Sequence, residues 1–324
     1  MGTRRYLLQK CAQAFFTLVF VVCFNFFLFR VLPGDPARIL ARNKLLPAEA
    51  VAELQADFGL DQPLFPQQFV NYVGDTVRGN LGISYTYRIP VTQKIAERFP
   101  PTLLLLGVST VIFTVLGIFI GIWGAWRRGS AFDIGSLSFS LVGYSMPDFW
   151  LGLLLLITFS VIIPVFPVGG IKTTTPEYTG LRAVYDVAGH MVLPTLTLVL
   201  AYIGEYALVM RSSLLEVSGE EYIQTARAKG LRDVMVRRRH AVPNALLPTV
   251  TLIALNLGFI LGGAITVETV FSWQGLGLLE VQALEAPDYP LLQGLFLLFS
   301  VAVIVANLVA DILYGYLDPR VKAA

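Results

Sequence analysis

Six unbroken apolar runs decide what this chain can become. They are roughly Cys11–Leu32, Thr102–Trp126, Ile134–Ile163, Met191–Met210, Ala245–Val270 and Leu291–Tyr316. About 20 helical residues cross the ~30 Å hydrocarbon layer of a bilayer, and each run reaches that length. Only 14% of the 324 residues are charged while 55% are apolar, and mean hydropathy is +0.67. Soluble domains carry about 25% charged residues, so a soluble fold of this size would lack polar surface. The sequence predicts an all-α, polytopic membrane protein with six transmembrane helices.

Arg4, Arg5 and Lys10 precede the first run, as in a signal peptide. Its apolar core is too long and no small-x-small cleavage site follows, so it reads as a retained anchor. Placing both termini in the cytoplasm puts 14 of the 24 Lys and Arg inside, in short segments, among them Arg127, Arg128, Arg211 and the Arg237–Arg239 triplet. That is the positive-inside pattern. The segment 33–100 is left outside, where seven Lys and Arg are balanced by seven Asp and Glu. Long translocated segments obey the rule weakly. The organisation expected is 1–32 for the amino terminus and first helix, 33–101 for an extracytoplasmic insertion, and 102–324 for the membrane core. Within the core, helices fall at about 102–126, 134–163, 191–210, 245–270 and 291–316, with a cytoplasmic loop over 211–244.

Both long connections exceed the few residues that usually join packed helices, so they are expected to carry the specific function. In the outer one, Pro47 opens and Gly59 closes a helix whose Glu49, Glu53 and Asp57 form an acidic stripe. The stripe is either a solvated face or a dock for an external partner. In the inner one, Glu220 to Lys229 has acids first and cations last, as the helix dipole prefers, and Gly230 closes it. Tyr222, Ile223 and Ala226 can form a small apolar face of the kind that fits a partner's groove. The Arg237–Arg239 triplet serves as an anchor at the membrane edge.

Ionisable residues inside spans are costly and each needs a partner or a role. Asp148 follows Pro147, which should kink the third helix and free the Gly143 carbonyl. Glu205 lies in the fourth run and Glu268 near the outer end of the fifth. Asn307 and Asp311 share a face of the sixth with Ser300. These residues are either pathway or gate groups, or interhelical hydrogen-bonding groups. Gly117, Gly121 and Gly124, and Gly258 with Gly262, read as close-packing surfaces.

Several function classes drop out. A net charge of +2 gives no field for nucleic acid. Cys11 and Cys23 sit in one run and make neither a disulfide framework nor a metal site, and His190 and His240 are isolated. No glycine-rich loop ends in Gly-Lys-Ser/Thr, so no nucleotide cradle is present in the chain. No catalytic arrangement of Ser and His, paired Asp or spaced His lies in the spans. A self-contained secondary transporter would often show an internal repeat, and residues 1–160 and 161–324 show none.

The run Thr225-Ala226-Arg227-Ala228-Lys229-Gly230-Leu231, with Arg239-His240-Ala241-Val242-Pro243, resembles the cytoplasmic EAA loop of importer-type ABC transporter permeases. That loop has a glycine followed thirteen residues later by a proline, as Gly230 and Pro243 are. Its initial acid is absent: Gln224-Thr225-Ala226 stand where E-A-A would be. Pro33-Gly34-Asp35-Pro36, Gly79-Asn80-Leu81-Gly82, Pro147-Asp148-Phe149-Trp150 and Asp288-Tyr289-Pro290 look like segments of the B-type dipeptide and oligopeptide permeases, in family order.

The resemblance implies a permease subunit in a bacterial plasma membrane, working by alternating access. Its implied partners are a second homologous permease, ATPase subunits with two nucleotide-binding domains that hold ATP and Mg, and an extracytoplasmic binding protein. It assigns Glu221, Tyr222, Thr225, Ala226, Arg227, Ala228, Lys229 and Gly230 to the joint with the ATPase. Relatives of this family that carry nickel or glutathione are the alternatives to peptides.

Overall fold

The computed structural model describes residues 3–31 and 62–317. Among them the backbone is helical apart from short turns, the irregular connections 78–90 and 163–180, and one isolated bridge between Ile83 and Pro90. In chain order the helices are α1 Thr3–Phe26, α2 Phe69–Val77, α3 Val91–Trp126, α4 Ala131–Ser145, α5 Asp148–Leu156, α6 Leu181–Ser218, α7 Glu221–Ala228, α8 Asp233–Val236, α9 Val242–Val270, α10 Leu276–Glu285 and α11 Tyr289–Leu317. Four are long and apolar enough to cross a membrane, namely α1, α3, α6 and α11. The third apolar run is not one rod. It is α4 followed by α5 with its wider turns to Ile162, and the two halves are bent by 99° at Met146–Pro147. The kink expected at Pro147 is therefore a full break, and the Gly143 carbonyl accepts from Met146 N at 3.3 Å instead of standing free.

Two helices exceed their apolar runs the most. α3 begins eleven residues before Thr102 and continues through Pro100 and Pro101. Its first turn is held because Val91 is buried with Leu276, Leu279 and Leu291, where the starts of α3, α10 and α11 meet. α6 extends from Leu181 to Ser218 through Pro194, well beyond Met191–Met210. Tertiary packing offsets the missing backbone bonds at these prolines.

α6 is the central rod. α3 packs along it through glycines: a Cβ at Gly117 would lie 2.6 Å from Tyr206 Cβ, and one at Gly121 would lie 2.6 Å from the Ala207 carbonyl oxygen. α4 crosses α6 as closely, with Gly204 against the Ser140 backbone and Gly143 against the Leu200 carbonyl. Small residues let backbones approach without a hydrophobic drive between helices, as packing in lipid requires. The surroundings of Gly258 and Gly262 lie outside the described residues. α1 stands at the periphery against α11, with Phe15, Phe16 and Phe20 exposed.

The charge bias expects the face carrying Arg127, Arg211 and α7 to be the inner one, and the face carrying α2 and α10 to be the outer one. On the outer face Asp288 is buried at the start of α11. It accepts from the Ser84 hydroxyl at 2.5 Å and from Thr86 N at 2.9 Å, which fastens the turn after α2 to the membrane core.

Candidate functional site

The inner loop folds into the short helix α7, entered by a turn at Gly219 and closed at Gly230 with φ +75°. Left-handed backbone of this kind favours glycine, and Gly230 N donates to Arg227 O at 2.9 Å. Two sides of the helix have different fates. Ile223 and Ala226 are buried among Ala125 of α3, Met210 and Leu214 of α6, Val236 of α8 and Ala245 of α9. Glu221, Tyr222, Thr225, Arg227, Ala228, Lys229 and Gly230 are exposed on the other side.

One expectation needs correction here. Ala226 and Ile223 do not belong to a face offered to a partner, because this chain's own core covers them, leaving Ala226 only 6% exposed. Tyr222, expected on the same face, is 43% exposed. Partial burial, with the charge of Glu220 adding to it, pushes the Tyr222 phenol above its ordinary pKa, and a hydrogen bond to Asn244 opposes the shift.

Around α7 the inner ends of the helices carry an aromatic and ionic cluster. Trp126, the last residue of α3, donates Nε1 to Asp233 Oδ2 at 2.9 Å. Arg227 lies over the Trp126 ring at 5.8 Å and pairs with Asp233 at 3.8 Å. Arg237 lies over both Trp123, at 5.1 Å, and Trp126, at 5.5 Å. The sequence gives Trp126 only as the end of an apolar run, since its partners lie about a hundred positions downstream.

The polar residues expected in the pathway separate into two groups. Asp148 starts α5, is half-buried, and accepts from the Thr266 hydroxyl at 2.9 Å and from Phe149 N at 2.7 Å. Glu205 is half-buried on α6 and accepts from Asn256 of α9 at 3.3 Å; Asn256 also donates to the Tyr206 hydroxyl. These two face the α9 side of the bundle and keep partial exposure.

The remaining three are occupied elsewhere. Glu268 is 0% exposed: Thr102 donates to it at 2.7 Å, and Gly277 N and Leu278 N at 2.8 and 3.1 Å. An acid at those free N–H groups caps α10 and suits its dipole, so Glu268 is a packing group and not a pathway residue. Asp311 pairs with Lys10 at 3.1 Å, while Tyr6 donates to its carbonyl at 3.2 Å. Asn307 lines the small cleft between α1 and α11 beside that pair. Both therefore belong to the α1–α11 seam. The acidic stripe Glu49, Glu53 and Asp57 lies outside the described residues.

Asp133 is a buried, paired ion that the sequence did not single out. It is buried at the start of α4, where Arg211 of α6 and Gly129 N bind its carboxylate. His190 sits against the Asp186 carbonyl at 2.8 Å, a local helix contact. Among the described residues no three His, Cys, Asp or Glu side chains gather as a metal site would need.

The sequence matches two family descriptions. Residues 117–323 match "Binding-protein-dependent transport system inner membrane component", and residues 3–106 match the N-terminal part of such membrane components. The chain is 39% identical, over 98% of both chains, to the dipeptide transport system permease protein of Escherichia coli strain K12. It is 38% identical to the di/tripeptide transport system permease of Pseudomonas aeruginosa, covering 93% of this chain and 94% of that one. The glutathione transport system permease of Pectobacterium atrosepticum is 39% identical over 98% of each. In fold, the chain is similar to the inward-facing MetNI methionine ABC transporter, with a TM-score of 0.52 at 18% identity, covering 70% of this chain and 97% of that one.

Proposed function

The chain belongs to the family of binding-protein-dependent transport system inner membrane components, the permeases of ABC importers, and from that premise we propose that it lines a pathway for di- and oligopeptides together with a second, homologous permease. It is a multi-pass membrane subunit that works with ABC transporter partners. Two nucleotide-binding domains supplied by the ATPase partners would hydrolyse ATP with Mg, and an external binding protein would deliver the cargo. Both termini lie in the cytoplasm in this reading.

One observation carries it: α7 is buried on one side and bare on the other, at the face rich in cations. A helix of eight residues has little stability of its own. Its Ile223–Ala226 side fixes it to this chain, which leaves Tyr222, Thr225, Arg227, Ala228, Lys229 and Gly230 to meet the ATPase. Movement of α7 passes along the chain into α6 before it and α9 after it, and would exchange inward-open for outward-open arrangements of the paired permeases. Asp148 and Glu205, half-buried and facing α9, are the groups proposed to border the pathway. Peptides are favoured because full-length relatives are named as dipeptide and di/tripeptide permeases; glutathione, itself a tripeptide, is the second reading.

The test is uptake in a strain deleted for this gene and complemented with it. Accumulation of labelled dialanine should disappear on deletion and return on complementation. Dipeptide uptake that survives the deletion while glutathione or nickel uptake fails would replace the peptide reading.

A further inference from the structure

Chain connectivity alone would send the motion of α7 into α6 and α9. We propose that α7 also drives α3 directly, through Ile223 set into a socket and Trp126 latched across it, and that these two positioning residues set how much transport each ATP yields. The proposal rests on the permease reading given above.

The socket is built from helices distant in sequence. Ile223 is fully buried, and the buried residues around it come from the inner ends of α3 (Ala125), α6 (Met210, Leu214) and α9 (Ala245). A close-packed contact of this kind transmits displacement, because interiors of native density have low compressibility. A shift of α7 is therefore passed through this shared cluster to three long helices, and to α3 also by the contact of Arg227 with Trp126. α3 receives it with no covalent connection to α7, since about ninety residues separate them.

The latch differs in kind from the socket. Trp126 gives its only donor to Asp233 at 2.9 Å and its ring to Arg227 and Arg237. Arg227 closes the figure on Asp233 at 3.8 Å, and both side chains are more than half exposed. Exposed ion pairs are weak in water, so the latch adds little to fold stability. It ties α3, α7 and α8 together with interactions weak enough to exchange during a cycle. α3 then carries the displacement outward to Val91, which is packed with α10 and α11 at the opposite face.

The readout is the ratio of ATP hydrolysed to peptide transported, measured on the whole reconstituted complex with its binding protein. Ile223→Ala shrinks the side chain in the socket, Asp233→Asn weakens the latch, and Trp126→Phe keeps the ring but removes the donor. Each should raise the ratio severalfold with the ATPase still bound, and Ile223→Val should restore most of the coupling. A purely structural role would lower hydrolysis and transport together and leave the ratio unchanged. An unchanged ratio in Asp233→Asn, a change at an exposed side chain, and in Trp126→Phe, which keeps a ring against the cluster, overturns the proposal even if Ile223→Ala fails to assemble. Wild-type complex that moves no peptide would instead reject the function it rests on, so the two failures are told apart.

Discussion

Arg211 grips Asp133 with two nitrogens, Nε at 2.6 Å from Oδ1 and Nη2 at 3.0 Å from Oδ2, joining helices whose ion-pair partners stand 78 positions apart. Two parallel N–H···O bonds fix direction as well as distance, which a lysine at 211 could not do. The Gly129 amide adds a third donor to the same carboxylate, so the short turn between α3 and α4 is held by the pair as well.

Breaking that pair from one side should be costly. The Asp133 side chain is 4% exposed and that of Arg211 22%, so removing the carboxylate leaves a part-buried guanidinium without its partner. Asp133→Ala should lower stability by about 3–5 kcal/mol. The double change Asp133→Leu with Arg211→Met, which leaves no buried ion, should recover much of the loss. Thermal unfolding of the purified complex, followed by intrinsic fluorescence, measures both.

Gly121 gives a second expectation, with a control in the same helix. A Cβ there meets backbone, the Ala207 oxygen at 2.6 Å, and also Met210 Cβ at 2.7 Å, so α3 and α6 must separate to admit it. Overpacking of this sort costs about 1–3 kcal/mol. Gly107 has nothing within 4 Å of its virtual Cβ, and Gly107→Ala should be neutral or stabilising, by up to about 1 kcal/mol. Melting temperatures of Gly121→Ala and Gly107→Ala should therefore move in opposite directions or not at all for the latter.

Gly230 separates backbone strain from packing. Nothing lies within 4 Å of its virtual Cβ, yet φ is +75°, so a substitution meets only conformational cost. That cost is about 1–2 kcal/mol for an ordinary residue, and more for a β-branched one. We expect Gly230→Val to insert and assemble with its partner permease, and to lose peptide uptake while hydrolysis continues or the ATPase loosens. Gly230→Asn, which tolerates this backbone region, should keep most of the activity. Full uptake with normal ATP use in Gly230→Val would remove the glycine from the coupling joint.

What the sequence made legible follows from how far each signal reaches along the chain. Hydropathy is local, and the six apolar runs all fall on helices. Gly230 and the end of α7 were readable because a helix stop is set by its own few residues. The extensions of α3 through Pro100–Pro101 and of α6 through Pro194 were not readable, because the prolines signal a stop that distant packing overrides. The break at Pro147 was visible as a kink but its 99° was not, since the angle depends on what the two halves pack against. The ions show the same limit. Glu268 and Asp311 were rightly singled out as expensive, yet their partners, the α10 amino terminus and Lys10, could only come from the fold. Ile223 and Ala226 formed a correct apolar stripe whose partner turned out to be this chain.

α6 runs unbroken for 38 residues, about 57 Å at 1.5 Å per residue, nearly twice the ~30 Å of hydrocarbon around it. It therefore stands proud of the bilayer and passes the α3 and α4 crossings without an interruption in its backbone. Such a rod is long enough to act as a rocker: a tilt of about 10° about its midpoint would swing each end some 5 Å, in opposite directions, for a helix of about this length. A side that closes and a side that opens then need no signal relayed between them. They are the two arms of one beam, and the place of the pivot along it sets the ratio between movement at one face and movement at the other.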